Sequence, residues 1–529
     1  MRRLAVTAGA VAIGVALASV AIAAPGPSLP TDTQQEVQAD MPIPIPATRS
    51  CTVSVMTHDF ANSYGAPYNG GYVPPAACPG PWAKVVLTFT STVAGTQFDR
   101  DLYIAIGHAV VLDGTTSEPC CTGNATTWTV QRDVTGITPL LRRKQPVVVE
   151  LDNVNDSTYT GVYHSVLTLT FYATSARVPA GSHPDVVLPI SSTAKGGPML
   201  SVGKDGQRVG QLVFFPRNLT GLVAEVFADA HGPCEEFWWS DPGNCAGQPY
   251  REIDVYVDGK LAGAAPAYPA IYTGASGPGL WEPIPAPRAW NLRPYDLDLT
   301  PFVGVLTDGK PHSVRLGVTG TQLTSGDFWM LAANLKCWIA PGVARTTGHL
   351  RKWQNPQVIM PPSQDPTGQG VPYAVATSRA LTFVGDVTVA GKTTTTTVNE
   401  SMSENGNQGE IVDNATWNWK RSTTAQFAGH SVVVSESSTW TLATDVFTTY
   451  QIGDSGTSTM SIDGKRTGWT SYGETMRTVD ATGLAYNGVE HEEYGYADNT
   501  GTCYDHHLSS QAGEVTVDVT DSLCPSEPA

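Results

Sequence analysis

The sequence predicts an all-β protein: two consecutive β-sandwich domains followed by a third β-rich C-terminal domain. Three observations predict it. Short runs with period-2 alternation of apolar residues recur along the chain, as at Lys84–Thr90 and Val432–Leu442. The 52 glycines and 39 prolines place turns at close intervals and leave little room for long helices. The 529 residues exceed one compact domain and suit two to four.

The elements follow in order. Met1-Arg2-Arg3 and the apolar run Leu4–Ala24, ending in small residues, read as a secretory signal peptide over residues 1–24; the alternative is an uncleaved anchor. Residues 25–47 are Pro-rich and polar, a linker or extended arm. The first sandwich is placed at 48–175, with strands near Lys84–Thr90, Leu102–Ile106, Pro146–Leu151 and Ser165–Tyr172. A second linker spans 176–195. The second sandwich is placed at 196–342, with strands near Gln211–Phe215, Leu222–Phe227, Glu252–Val257, Ser313–Val318 and Trp329–Ile339. Within it Ala264–Pro294 reads as one long loop, and loops of that length are usually functional. From 343 to 529 Thr and Ser dominate, which points to long antiparallel strands and a structural or attachment module.

Charge and cysteines narrow the classes. Against 48 Asp+Glu stand 31 Lys+Arg, a net charge of −17, and no basic patch stands out, so a nucleic-acid role is excluded. No segment after the leader is long and apolar enough to span a membrane. The expected protein is secreted, extracellular or periplasmic. Export permits disulfides among the nine cysteines. Cys51–Cys78, Cys234–Cys245 and Cys503–Cys524 are possible loops, with Cys120, Cys121 and Cys337 left over. No CxxC or HxxxH spacing supports zinc, and His506-His507 beside Asp505 reads as a surface turn rather than a metal pair. No metal and no cofactor are expected. A GxSxG nucleophile elbow is absent.

Two acidic sites carry the chemistry. Asp99 lies in Gln97-Phe98-Asp99-Arg100, where a β-type run ends; Glu235 and Glu236 lie in HGPCEEFWWS, His231–Ser240. Carboxylates beside aromatics, in corresponding places of two β-rich domains, suggest one composite site between the domains. Aromatic faces bind sugar rings, and carboxylates bind sugar hydroxyls or do acid–base work. Trp238, Trp239 and Trp281 are candidate platforms; adjacent strand residues face opposite sides, so at most one of Trp238 and Trp239 reaches a shared pocket.

An ordered set of motifs spans about Pro46–Ile339: His58-Asp59-Phe60-Ala61, Phe98-Asp99-Arg100, Ser117-Glu118-Pro119, Thr158–His164, Glu235–Trp239, Tyr250-Arg251-Glu252, Tyr268–Gly274, Leu280–Ile284, Tyr295–Phe302 and Asp327–Leu335. Together they resemble the plant-type peptide-N-glycosidase A family, the peptide-N4-(N-acetyl-β-glucosaminyl)asparagine amidases. That family is distantly similar to the flavobacterial-type enzyme, a pair of jelly-roll sandwiches with its site at their junction. The resemblance implies jelly-roll-like domains, no cofactor, and catalytic roles for Asp99 and Glu236, with Glu235 the fallback. It puts Asn153 where a third acid is expected, with Glu118 or Asp152 able to supply one. Arg100, Asp59 and Arg251 join the substrate-binding set. The implied substrates are N-glycopeptides or N-glycoproteins, core 3-linked fucose included, cleaved by a monomer. A glycoside hydrolase, in which carboxylate separation sets stereochemistry, and a non-catalytic glycan-binding protein are the alternatives.

Overall fold

The structure is a computed structural model. It describes residues 36–40, 42–117, 125–181, 183–193, 197–232, 247–268, 284–285, 288–321, 323, 326–358, 373–408, 412–447, 451–462, 466–477, 489–498, 503–511 and 514–521. The regular structure of the described chain is almost all strand, as the alternation predicts, arranged in five antiparallel sheets.

The first sheet runs β1 (Ser50–Phe60), β8 (Tyr163–Ala173), β3 (Trp82–Ala94), β6 (Ala125–Asp133). The second runs β2 (Tyr68–Tyr72), β7 (Gln145–Leu151), β4 (Asp101–Ile106), β5 (Ala109–Thr115). Leu87, Phe89, Leu167 and Leu169 of the first sheet meet Leu102, Ile104, Val147 and Val149 of the second, all at most 1% exposed. The third sheet runs β10 (Leu200–Val202), β17 (Phe328–Ile339), β12 (Leu219–His231), β15 (Tyr295–Asp298), with β9 (Val186–Ile190) also on β17. The fourth runs β11 (Val209–Phe214), β16 (Pro311–Thr321), β13 (Gly247–Val257), β14 (Lys260–Pro266). The fifth is a ten-stranded meander in chain order from β18 (Thr347–Gln354) to β27 (Glu514–Asp521). Its neighbouring strands include β21 (Val412–Phe427) and β22 (His430–Phe447).

Three inner sheets are covered on both faces, which explains where the sequence pattern misleads. Along β4, Leu102, Ile104 and Ile106 point into the first sandwich, while Tyr103 and Ala105 point the other way, onto the third sheet. Phe227, Met330 and Ala332 of the third sheet meet them there. Strands buried on both faces read as continuous apolar runs rather than alternation. So β5, AVVLDGT, is buried at every position and carried no alternation to find. Ala264–Pro266 also proves to be strand rather than loop: β14 needs these small residues because both of its faces are covered.

Residues 36–40 are docked. Glu36 donates its N–H to Thr127 O at 3.0 Å and its carboxylate accepts from Ser117 Oγ. Ala39 is 1% exposed and packs with Ile284, Tyr494 and Leu508. Cys51 and Cys78 form a disulfide with Cα atoms 6.2 Å apart. Cys503 is disulfide-bonded as well. Cys337 is a buried free thiol whose pKa burial raises to about 12. Among the described residues no helix is long and apolar enough to cross a membrane. His506 and His507 lie inside a strand, Cys503–Gln511, rather than in a turn, because the last hairpin forms beyond them.

Candidate active site

Asp99 sits on the connection between β3 and β4, half-buried, on backbone held from both sides. Gln97 is 2% exposed and donates to Val154 O at 3.0 Å and Gly161 O at 2.7 Å. Its Oε1 accepts from Arg100 Nη2 at 2.9 Å, which aims the guanidinium. The Tyr163 hydroxyl lies 3.0 Å from Phe98 O, and Arg100 N–H donates to Thr116 Oγ1 at 2.9 Å. A short pinned connection of this kind presents a side chain with little freedom. Beside it Phe98 is 48% exposed, its ring 5.1 Å from that of Tyr159, and Arg100 lies 5.4 Å from the same Tyr159 ring. Together these form an aromatic and cationic surface next to a carboxylate.

Immediately beyond Asp99 the junction of the second and third sheets is acidic. Asp113, Tyr103 and Glu150 form one cross-strand row on the face of the second sheet that meets the third. From the third sheet, Asp229 and His231 at the end of β12 face that row. Tyr103 Oη donates to Asp229 Oδ2 at 2.6 Å and lies 2.8 Å from His231 Nε2. His231 Nε2 is 2.9 Å from Asp229 Oδ2, and its Nδ1 is 3.7 Å from Asp101 Oδ1. Phe328 stacks on the imidazole at 5.0 Å.

Burial with like charges sets the protonation of this cluster. Desolvation raises the Glu150 carboxyl to about 8, with Asp152, Asp101 and Asp229 pushing the same way and His231 opposing. Desolvation also raises Asp101, eased by His231 and Arg100, and raises Asp113 well above the usual range. A carboxyl near 8 is held as the acid at neutral pH and can donate a proton. The packing over Glu150 is close: a Cβ on Gly197 would lie 1.9 Å from Glu150 Oε2, and Gly197 has φ +115°. The segment Ala289–Leu292 closes the other side. Thr115 N–H donates to Ala289 O at 2.7 Å and Leu292 N–H to Asp113 O at 2.8 Å.

The other candidates distribute as follows. Asn153 is fully buried; its Nδ2 donates to Phe60 O at 3.0 Å and Gly161 O at 3.1 Å. Asp152 is half-buried, accepts from Gly65 N–H at 3.0 Å, and has its pKa raised mainly by burial. Asp59 lies on the first sheet, exposed, 2.8 Å from His164. Arg251 is 3% exposed on β13 of the fourth sheet. Glu118, Glu235, Glu236, Trp238, Trp239 and Trp281 fall outside the described residues. So Asp99 and Arg100 adjoin, along the chain, a set that sequence reasoning missed: the buried acids Asp113, Glu150 and Asp229, the buried His231, and the part-exposed Asp101. The available signal was an acid inside an otherwise apolar strand, as in VVVEL or VFADAH. Among the described residues one His–carboxylate group has metal-ligand proximity, Glu493, Asp505 and His507 on the fifth sheet, its donor atoms within 4.8 Å of one another.

Comparison with known proteins bears on this arrangement. The chain is 32% identical over 368 residues to peptide-N4-(N-acetyl-β-glucosaminyl)asparagine amidase A of Prunus dulcis, covering 64% of this chain and 63% of that protein. The chain thus spans under two thirds of that relative's length. Likeness to solved structures is distant. A structure of PNGF-II aligns at TM-score 0.39 and 14% identity, over 55% of this chain and 65% of that one. PNGase F, a glycosylasparaginase from Flavobacterium meningosepticum, aligns at TM-score 0.38 and 12% identity, over 55% and 96%. The family described as peptide N-acetyl-β-D-glucosaminyl asparaginase amidase A matches residues 30–356, most of the chain. The chain is a member of the peptide N-acetyl-β-D-glucosaminyl asparaginase amidase A family.

Proposed function

We propose that this protein is a secreted peptide-N-glycosidase that hydrolyses the amide between an asparagine side chain and the innermost N-acetylglucosamine. The observation that carries the reading is the placement of Asp99 and Arg100, beside the Phe98–Tyr159 pair and next in the chain to Asp101 of the acidic junction, in a chain of this family. In this reading the residues divide into sandwiches at 48–175 and 196–342, with a C-terminal domain at 343–529, a leader at 1–24 and linkers at 25–47 and 176–195. Substrates are N-glycopeptides or N-glycoproteins, core 3-linked fucose included, and the enzyme acts as a monomer.

An unactivated amide is a poor electrophile, so the site must position a water and stabilise developing charge. Asp99 takes a proton from the attacking water. The water oxygen bonds to the side-chain carbonyl carbon, the carbon–nitrogen bond breaks, and the nitrogen leaves on the sugar as a glycosylamine. The peptide keeps an aspartate. Glu236 supplies the proton to the leaving nitrogen, with Glu235 as its substitute. Glu150 fits the place of a third acid better than the half-buried Asp152, because it is buried in the cluster with its carboxyl raised to about 8, and Glu118 is the other candidate. Arg100 and the Phe98–Tyr159 pair bind the glycan core, with Trp238, Trp239 and Trp281 as further platforms. Asn153 acts by holding the loops at Phe60 and Gly161 rather than by touching substrate; the exposed Asp59 stays in the binding set, and Arg251, 3% exposed on the fourth sheet, would support it from within the fold.

The test is mass spectrometry of a defined N-glycopeptide incubated with purified protein and with Asp99→Asn. Conversion of Asn to Asp with the unmutated protein, lost or reduced about 100-fold or more in the variant, is the expected result. Sugar left on an intact Asn would instead identify a glycosidase, and no change in either arm would leave a glycan-binding protein.

A further inference from the structure

The polar half of the junction is harder to explain than the apolar half. Ala105, Val110, Met199, Phe227 and Ala332 already hold the two sandwiches together by burial. Beside them Tyr103, Asp229 and His231 are 2%, 2% and 5% exposed, and burying a carboxylate, an imidazole and a phenol costs desolvation that an apolar triad would avoid. Their contacts are directional. Tyr103 Oη and His231 Nε2 converge on Asp229 Oδ2 at 2.6 and 2.9 Å. The Nδ1 edge of the imidazole faces Asp101 Oδ1 at 3.7 Å. Asp113 and Glu150 flank Tyr103 on its own sheet, and Arg100 stands at the near end.

The place of the network in the chain gives it meaning. Asp101 and Tyr103 open β4, directly after Asp99 and Arg100. Asp229 and His231 close β12, and the chain then runs on to Cys234-Glu235-Glu236. We infer that Tyr103, Asp229 and His231 are positioning residues: a lock across the junction that sets the place of the Asp99 loop against the end of β12. The inference rests on the amidase reading above for what the lock serves, though not for its existence. Because a misplacement near 1 Å costs about 100-fold in a reaction of positioned groups, a lock at the root of both segments acts on turnover more than on binding.

The experiment uses the full chain with Tyr103→Phe, which removes one hydroxyl and keeps the ring, and Asp229→Asn as a second variant should the first fail to fold. Turnover of an N-glycopeptide, thermal unfolding and hydrogen exchange of peptides covering 97–101 and 225–232 are followed together. The lock predicts that kcat falls about tenfold or more while KM stays within about twofold. It also predicts that both segments exchange faster together while the melting temperature of the protein changes little. Unchanged kcat in folded variants, or faster exchange in one segment alone, overturns it. If the unmutated protein converts no Asn to Asp, the amidase reading fails. The paired exchange still decides the lock.

Discussion

Asn153 is the residue at which sequence and structure ask different questions. By motif it stands where an acid is expected. In the fold its amide spends both N–H groups on the carbonyls of Phe60 and Gly161, and its own backbone carbonyl accepts from Ser63 and Tyr64 N–H at 2.9 and 3.1 Å. A carboxylate there would face two carbonyls with no proton to offer. Asn153→Ala removes the side-chain donor to Phe60 O and one of the donors to Gly161 O, which keeps Gln97, and is expected to cost about 1–3 kcal/mol in stability. Asn153→Asp should cost at least as much at neutral pH, since repulsion replaces donation. Urea unfolding of the two variants checks the order. A substrate-binding role would instead raise KM in a protein of unchanged stability. Asp99 and Arg100 were legible because their motif ends a strand and abuts aromatics. Glu150 and Asp229 were not, because a polar residue at every second position ordinarily marks a solvated face, and no single chain reveals that another sheet covers it.

At the scale of elements the same covering recurs between the fourth and fifth sheets. Glu252 on β13 is fully buried and paired with Arg379 of the fifth sheet, while Tyr250 Oη donates to Glu252 Oε2 at 2.9 Å and touches Met402. Arg421 and Arg293 both reach Glu436 in a second group, at 2.6 and 3.1 Å. The ten-stranded sheet thus docks through ion pairs set near the buried Trp417, Trp419 and Trp440. The Thr-rich alternation announced long antiparallel strands, and these are present. The docking was hidden, since charges at alternate positions of a Thr/Ser-rich strand look like solvent-facing ones. Arg379→Met should cost about 3–5 kcal/mol, because it leaves a buried carboxylate without its cation. Adding Glu252→Gln should recover most of that loss, as the amide still accepts from Tyr250 and carries no charge. Chemical denaturation of the two variants reads the difference. Equal destabilisation of single and double variants would show that packing, rather than charge, holds the fifth sheet.

Across the whole molecule three glutamates occupy three separate junctions. Glu150 lies between the second and third sheets, Glu400 accepts from Ala264 N–H at 3.2 Å between the fourth and fifth, and Glu492 accepts from Ala39 N–H at 2.9 Å where the N-terminal segment meets the fifth. Burial raises each from an ordinary 4.5 to about 8. The sign follows from proton binding. Between those values the folded chain holds protons that the unfolded chain has lost, so stability is full below about 4.5 and falls as pH rises toward 8. The lowered carboxyls act in another window: Asp133, Asp156 and Asp308 stabilise above their ordinary 3.8 and lose that contribution only in stronger acid. The net charge of −17 at pH 7 adds self-repulsion that also grows with pH. Melting temperature should therefore peak near pH 5 and decline toward pH 8. Glu150→Gln, Glu400→Gln and Glu492→Gln combined should flatten the decline by raising stability at pH 8 while changing little at pH 5. A triple variant whose profile keeps the slope of the unmutated protein would assign the pH dependence to net charge and to the raised carboxyls of Asp101, Asp113 and Asp152 instead of to the three glutamates.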